Sequence, residues 1–352
     1  MKKDLMTLSK TLRYVPLALL ALFACKSEPP VASRLATAEA RMQQLQLSAT
    51  VQQQKSYPRL PSASGIELLD STYYVVGDDA PYVYLLDGQF NQTGKIALFD
   101  TADFATGRIP KAVKPDLESI AHFTYGRAHM LLIPGSGSGP KRNRAFLVNL
   151  TDKKYVEELD FTRFYTFLKR VLRLEADGEL NLEGFAMDNT YTYMLQRALG
   201  TSTNVLLRFD TQDFKRFIFG KGDLPAVAVY HFALPAVGGY KTGFSGAFAL
   251  EDKLFFTASA EDTPNAVADG EVLGSIVGVI DLNALPYATR AASPLQVPAV
   301  QFMNPDGTVY KGKAESLVVK AGAAEGMYEV VVVSDDDAGG SGLLTLQLEL
   351  KL

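Results

Sequence analysis

One short pattern occurs five times along the chain, and this internal repeat limits the fold more than any other feature. Successive copies are spaced about 50–70 residues apart, and most contain a glutamate beside small and apolar residues. A run rich in aromatic and β-branched residues follows each copy within about ten residues, which is typical of a strand. The copies lie at 65–69, 116–121, 181–186, 243–248 and 313–318.

Each repeat unit predicts four strands joined by polar or glycine-rich turns, so the chain predicts an all-β fold, a five-bladed β-propeller. Six blades remain an alternative if 100–115 or 211–235 hides a degenerate unit. The last unit lacks a fourth strand, and we expect 47–57 to replace it and close the ring, which removes an open sheet edge. One short helical insertion is predicted at 161–175 from its apolar spacing. The fourth strands of the other blades are predicted at 95–99, 155–161, 227–234 and 295–302.

The N-terminus predicts export. Four basic residues between positions 2 and 13 precede an apolar run at 15–24, which is too short to span a bilayer and suits a secretory signal. The stretch from Leu22 to Cys25 is similar to a bacterial lipobox, with Cys25 lipidated. We therefore expect a lipoprotein signal peptide at 1–24, a lipid-anchored tether at 25–46 and the propeller at 47–352. A plain secretory peptide with an incidental cysteine is the alternative.

Composition narrows the functional classes. The chain has 35 Lys and Arg against 39 Asp and Glu, a net charge of −4, and a mildly acidic body argues against a nucleic-acid partner. One Cys and three His argue against a disulfide framework or a Cys/His zinc site. We expect an exported monomer anchored to a membrane of the bacterial cell envelope, in the periplasm or at the outer-membrane surface. Its expected partner is a small anionic ligand or an envelope protein.

The repeated position predicts a ring of carboxylates. The first strand of each propeller blade lines the central channel, so Glu67, Glu118, Glu183 and Glu315, with Ser245 in the remaining blade, should face one axis. Four such carboxylates repel one another, and protons, lysines or a cation must neutralise them. Ca²⁺, which takes six to eight oxygen ligands, suits this ring as a cofactor. In the alternative, structural interpretation the glutamates accept backbone hydrogen bonds from neighbouring blades.

Further charged residues should gather at the rim above the ring. The expected ligand contacts are Lys114, Lys241, Lys311, Arg197, Asp78 and Asp79. Each of these lysines precedes a ring position by four residues, so lysines would also neutralise the ring without metal. Other acidic residues expected at this rim are Glu261, Asp262, Asp335 and Asp336.

Three further motifs give weaker indications of function. The segment 243–247 resembles a serine nucleophile elbow, but it falls on a predicted inner strand rather than a strand–turn–helix. The glycine-rich segment 135–139 lacks the helix and the Gly-Lys-Ser/Thr of a phosphate loop, and is predicted to be a flexible hairpin tip. The basic residues Lys141, Arg142 and Arg144 are expected to be solvated.

Four stretches carry a resemblance to a known family. They are Gly-Ile-Glu at 65–67, Gly-Asp-Asp at 77–79, Leu-Glu-Ser-Ile-Ala at 117–121 and Leu-Glu-Gly-Phe-Ala at 182–186. Over roughly 60–350 the chain resembles the bacterial phytase-like ("esterase-like activity of phytase") β-propellers and exported propeller lipoproteins of unassigned function. The resemblance implies hydrolysis of phosphate esters or esters, with Ca²⁺ bridging acidic residues and phosphates.

Three functions follow as expectations. The first is an envelope-anchored binding or scaffold module with an acidic central pocket. The second is a Ca²⁺-assisted phosphoesterase in which Glu67, Glu118, Glu183 and Glu315 hold the metal and Lys114 or Lys311 contacts phosphate. The third is an accessory subunit of an outer-membrane uptake complex. No catalytic residue is assigned.

Overall fold

The chain folds into five small β-sheets around one axis, as a five-bladed β-propeller. It is seen in a computed structural model that describes residues 40, 42, 44–100, 103–104, 106–152, 155–174, 179–198, 203–262, 271–286, 288–336 and 339–351. The predicted all-β class and five blades are confirmed, and within these residues neither 100–115 nor 211–235 adds a sixth sheet. Among the described helices, none has the length and apolar character needed to cross a membrane.

The strands follow the repeat, and an inner strand opens each blade. Strand β1 (Gln46–Tyr57) precedes the first blade. Blade 1 contains β2 (Ala63–Leu69), β3 (Thr72–Gly77), β4 (Tyr82–Leu86) and β5 (Gln92–Ala97). Blade 2 contains β6 (Ala121–Tyr125), β7 (Ala128–Pro134), β8 (Arg144–Asn149) and β9 (Val156–Asp160).

The other three blades are built in the same way. Blade 3 contains β10 (Leu182–Met187), β11 (Tyr191–Gln196), β12 (Asn204–Asp210), β13 (Val227–Ala233) and β17 (Leu295–Gln296). Blade 4 contains β14 (Gly243–Leu250), β15 (Lys253–Asp262), β16 (Glu271–Asp281) and β18 (Ala299–Gln301). Blade 5 contains β19 (Lys313–Ala321), β20 (Met327–Asp335) and β21 (Ser341–Lys351).

The single strand predicted at 295–302 is wrong in one respect, because it is two strands in two blades. β17 pairs in parallel with β13, whereas β18 pairs with β16. Pro298 separates them, and proline cannot donate to a strand ladder.

Strand β1 closes the ring by completing blade 5. It pairs antiparallel with β21, from Gln46 opposite Lys351 to Tyr57 opposite Ser341, so the predicted closure is confirmed. The closing strand also reaches blade 1, since Lys55 Nζ and Tyr57 Oη donate to the carbonyl of Phe90 at 2.7 and 2.6 Å. Two hydrogen-bonded contacts therefore seal the seam between the last and the first blade.

The hydrophobic core lies between the blades. Five clusters of buried side chains each join two neighbouring blades. In one of them Val75 of blade 1 meets Val331 of blade 5, and in the next Val76 of blade 1 meets Leu131 of blade 2. Because both faces of each sheet are covered, the strands are apolar on both faces and the polar groups are left at the rims.

Two helices cover the junction of blades 2 and 3. Helix α1 (Thr162–Val171) is the predicted insertion and buries Phe164, Tyr165 and Leu168. Helix α2 (Thr211–Ile218) was not predicted. Its N-cap Asp210 accepts from the backbone N–H groups of Gln212 and Asp213, and Phe214 is buried in the same cluster as α1.

Each inner strand carries a bulge followed by a small residue. One extra residue interrupts the register at Ser64, Glu183, Ser245 and Glu315. Between the Leu117–Gly135 bridge and the Ala121–Leu132 pair, blade 2 likewise has one residue more on its inner strand. The next residue must be small, because a Cβ at Gly246 would lie 2.5 Å from the Cα of Ser316. The inner strands thus approach one another closely around the axis.

Candidate functional site

The bulges redefine the ring predicted from the repeat. Its positions are Ser64, Glu118, Glu183, Ser245 and Glu315, so three glutamates rather than four occupy it. The two serines are bonded to backbone: Ser64 Oγ donates to the Ser62 carbonyl at 3.0 Å, and Ser245 Oγ donates to the Ala314 carbonyl at 2.6 Å. Ser245 is 1% exposed, so the nucleophile-elbow interpretation has no support.

Glu67 does not belong to the ring, and its assignment as a ring ligand is wrong. It lies three residues beyond the bulge of β2, where its carboxylate accepts from the backbone N–H groups of Leu68 and His122 at 2.7 and 2.8 Å. His122 is in blade 2, so Glu67 joins two blades, as the structural alternative predicted. Burial raises the pKa of Glu67 to about 7, although both backbone donors oppose the shift.

The three remaining ring glutamates lie in a larger cluster of charges at the same end of the channel. Its acidic residues are Asp78, Asp116, Glu118, Glu183, Glu261 and Glu315, and its basic residues are Lys114, Arg142, Arg197 and Lys313. The charges act on one another across the axis, since both Glu118 and Glu315 raise the pKa of Arg197. With every group ionised, the cluster carries two more negative than positive charges.

The part formed by blades 1 and 2 is called here the Glu118 half: Asp78, Lys114, Asp116, Glu118 and Arg142. Lys114 Nζ bonds to Asp78 and lies 3.0 Å from Asp116 Oδ1. Asp116, in the left-handed region at φ 60°, also accepts from Ser136 Oγ at 2.6 Å and lies 2.7 Å from Arg142 Nη1. These contacts hold both aspartates in place.

Glu118 is the exception in this half, because its carboxylate makes no hydrogen bond or ion pair with any described residue. Burial, followed by the negative charges of Asp116 and Glu183, raises its pKa well above the ordinary value. One carboxylate oxygen from each of Asp78, Asp116 and Glu118 lies within 4.8 Å of the others. Oxygens on opposite sides of a calcium ion are about 5 Å apart, so this spacing fits one divalent cation.

The part formed by blades 3, 4 and 5 is called the Arg197 half: Glu183, Arg197, Glu261, Lys313 and Glu315. Arg197 lies 2.8 Å from Glu261 and 3.8 Å from Glu183, and Lys313 lies 3.1 Å from Glu315. Burial raises the pKa of Glu315 to about 8 even though Lys313 lowers it. Every acid in this half therefore has a basic partner.

The other predicted ligand residues do not all reach this cluster. Asp78, Lys114 and Arg197 belong to it, whereas Lys241 and Lys311 are exposed. Lys313 occupies the place expected for Lys311. Asp79 turns to a different partner, because its Oδ2 accepts from Arg108 Nε at 2.7 Å.

The sequence analysis missed two members of the cluster, Arg142 and Asp116. Arg142 was expected in solvent but is bonded to Asp116 and Ser138. The glycine-rich segment before it is not a flexible tip: Ser136 is fully buried, and a Cβ at Gly137 would meet Leu180 at 2.8 Å. A pair of charged residues two apart, as in Asp116 and Glu118, was the available signal.

The fold and the cluster define a class: a five-bladed propeller with a buried network of acids and bases where its inner strands begin. The chain belongs to the family of unknown function DUF6929, whose model matches residues 59–348. Comparison with curated protein sequences finds no significant match.

Several solved structures are similar in fold at low identity. Glutaminyl cyclase of Myxococcus xanthus is 11% identical with a TM-score of 0.41, covering 86% of this chain and 97% of that one. The Bacillus subtilis arabinanase is 12% identical with a TM-score of 0.41, at 84% and 96% coverage. Regucalcin of Agrobacterium tumefaciens, a calcium-binding protein, is 14% identical with a TM-score of 0.35, at 82% and 77% coverage. Likeness this distant carries no argument about chemistry.

Proposed function

We propose that the protein is a binding module whose central charge cluster takes up a divalent cation at Asp78, Asp116 and Glu118. One observation carries the proposal: an oxygen from each of three carboxylates lies within 4.8 Å of the others. Burial and the acidic neighbours raise the pKa of Glu118 more than the charge of Lys114 lowers it, and no described base forms an ion pair with Glu118. Carboxylate oxygens are the ligands that Ca²⁺ prefers, so Ca²⁺ is the cation expected.

A cation bound at these three residues would also change the position of Lys114 and so affect ligand binding. Its ammonium group bonds Asp78 and Asp116, so Ca²⁺ at these oxygens must displace at least one of the two contacts. The displaced ammonium group would then face the channel mouth beside the bound cation. A small anion, such as a carboxylate or phosphate, would find a metal ligand position and a lysine together.

Calorimetry and thermal melting of the full-length protein test the cation. Ca²⁺ should raise the melting temperature relative to chelator, because a ligand that binds only the folded state stabilises it by about 2.7 kcal/mol at a hundredfold excess over Kd. Glu118→Gln should abolish the response. Glu325→Gln, at an exposed acid on the far hairpin of blade 5, is the matched control and should keep it. Equal melting of the wild type in Ca²⁺ and in chelator would contradict the proposal.

A phosphoesterase is the second candidate, supported by Lys114 and Arg142 beside the same three carboxylates and by the resemblance to phytase-like propellers. Ca²⁺ would there bridge the acids and a phosphate group, and Lys114 would contact the phosphate. Release of inorganic phosphate from inositol hexakisphosphate and p-nitrophenyl phosphate, with and without Ca²⁺, separates the two functions. Binding without turnover favours the binding module.

We also propose anchoring at the cell envelope through Cys25, although residues 1–39, including the predicted signal peptide, lie outside the described residues. Cys25→Ser should move the protein from the membrane to the soluble fraction and abolish incorporation of labelled palmitate. Unchanged fractionation of the variant with the membrane would contradict a lipid anchor at Cys25. A role as an accessory subunit of an uptake complex would use an exposed face of the anchored ring.

A further inference from the structure

A second charged site lies away from the channel, at the seam where the ring closes. A cleft of about 910 Å³ separates the outer part of blade 1 from the segment that links β1 to β2. Its walls include Tyr82, Tyr84 and Lys95 of blade 1, Arg59 of the linking segment, and Phe104 and Arg108 of the connection between blades 1 and 2. This volume is ordinary for a site that binds a small organic molecule.

The charges of the cleft are all of one sign. Arg59, Lys95 and Arg108 come from three separate segments, and no acidic residue is among the described residues that line it. Arg59 and Lys95 make no ion pair with a described residue, and both are exposed. Arg108 is paired with Asp79, so Arg59 and Lys95 supply the uncompensated positive charge. On a chain with a net charge of −4, this charge favours an anion in the cleft.

Arg108 is fixed in place by the structure around it. Its guanidinium group donates to Asp79 Oδ2 at 2.7 Å, Ser62 Oγ at 3.0 Å and the Gly339 carbonyl at 3.3 Å. Gly339 has φ 94°, and a Cβ there would lie 2.5 Å from Arg108 Nη1, so this contact requires glycine. The side chain is still 39% exposed, which leaves it accessible to a ligand in the cleft.

The cleft also offers an aromatic face, that of the half-buried Tyr82, with the buried Tyr84 behind it. Tyr82 and Tyr84 project from the same face of β4, with ring centroids 6.0 Å apart at an angle of 64°. Lys95 lies opposite Tyr84 in β5, and its Nζ is 3.8 Å from the centroid of Tyr82. The ammonium group thus covers an aromatic face without neutralisation by a carboxylate, and a ligand phosphate or carboxylate would satisfy it.

We propose that this cleft binds an organic polyanion that carries a flat aromatic ring, the chemistry of a nucleotide. The anionic groups would contact Arg59, Lys95 and Arg108, and the ring would stack on Tyr82 or Phe104. The site does not use the residues of the central cluster, and its ligand needs no metal ion.

Isothermal titration calorimetry on the full-length protein, in chelator and low salt, tests the cleft with three probes. ATP supplies phosphates with a flat base, tripolyphosphate supplies a similar charge without a ring, and inositol hexakisphosphate supplies a higher charge on a puckered, saturated ring. We expect ATP to bind more tightly than tripolyphosphate, and equal affinities for these two would overturn the role of the flat ring. Failure of all three to bind below 1 mM would overturn the proposal. Because chelator is present, this result is independent of the Ca²⁺ experiment.

Two variants and one control locate the binding. Lys95→Gln should weaken the preferred probe about tenfold. Tyr82→Leu should weaken ATP binding while leaving that of tripolyphosphate within about twofold. Arg170→Gln removes the same charge from the exposed end of α1, away from the cleft, and should leave all affinities unchanged. Equal losses in Lys95→Gln and Arg170→Gln would show a general charge effect and overturn the site.

Discussion

The two halves of the central cluster have the same formal composition and different pairing. Each half contains three acids and two bases. In the Arg197 half the bases alternate with the acids, so every carboxylate has a basic partner. In the Glu118 half both bases serve Asp78 and Asp116, and Glu118 is left over. Equal charge counts therefore give one network in which every acid is paired, and one in which Glu118 has no ion pair and a proton or a cation would be stabilising.

The largest effect is expected where the network is self-contained. Arg197→Met removes the partner of both Glu183 and Glu261, whose side chains are 12% and 11% exposed. Breaking a buried ion pair on one side leaves an uncompensated charge, so we expect a loss of about 3–5 kcal/mol in the free energy of unfolding. Urea denaturation in chelator measures it. Ca²⁺ should not restore the loss, and full restoration would mean that the cation binds in this half.

The corresponding change in the Glu118 half should be reversible. Lys114→Met exposes Asp78 and Asp116 to each other beside Glu118, and should cost about 2–4 kcal/mol in chelator. Ca²⁺ can replace the lost positive charge between the same oxygens, so it should recover most of the stability and bind more tightly than to the wild type. The same denaturation series, with and without Ca²⁺, gives both quantities. A loss that Ca²⁺ leaves untouched would place the cation elsewhere.

Much of the fold followed from the sequence, because a propeller repeats one supersecondary unit. The closing strand was predictable because blade 5 lacked a partner for β21. The ring position predicted for blade 1 was wrong because Glu67 was aligned with the other glutamates by residue type alone. The physical requirement is a bulge followed by a small residue, and Ser64 with Gly65 meets it.

The pairing inside the cluster was beyond the sequence. Neither spacing nor composition indicates that Lys114 would join Asp78 to Asp116, or that Arg142 would fold back from a glycine-rich loop. Helix α2 was missed for a related reason, since its eight residues are too short for a strong periodic signal and depend on contacts with α1.

Matched Glu→Gln substitutions in the two halves should change the free energy of unfolding in opposite directions. Glu118→Gln removes an unpaired, partly buried charge, so in chelator at pH 8 we expect stability to rise by about 1 kcal/mol. Glu183→Gln removes the charged partner of Arg197 and weakens the acceptor of Asn181 Nδ2 from a carboxylate to an amide oxygen, and should lower stability by about 1–2 kcal/mol. Thermal melts of both variants beside the wild type decide the comparison. Shifts of the same sign would show that the halves do not differ in pairing.

Glu67, outside both halves, isolates the effect of burial. Its pKa is raised to about 7, so the folded protein holds a proton that the unfolded chain releases near pH 4.5. Its contribution to stability is therefore complete below pH 4.5 and is lost as pH rises to about 7. Replacing it by glutamine, which cannot ionise, removes this slope. The amide keeps an acceptor for only one of the two backbone N–H groups, a cost that does not depend on pH.

The free energy of unfolding of Glu67→Gln, relative to that of the wild type, should thus rise by about 1–3 kcal/mol between pH 5 and pH 8. The neighbouring His122 has the opposite pH dependence. Burial and His129 lower the pKa of His122 to about 4, so the stability that His122 contributes is lost as pH falls from 6.5. Both proteins contain His122, so subtraction cancels it. Urea denaturation in chelator at four pH values measures the difference. A constant difference would mean that Glu67 stays ionised in the folded protein, and that burial alone does not hold a proton on this carboxylate.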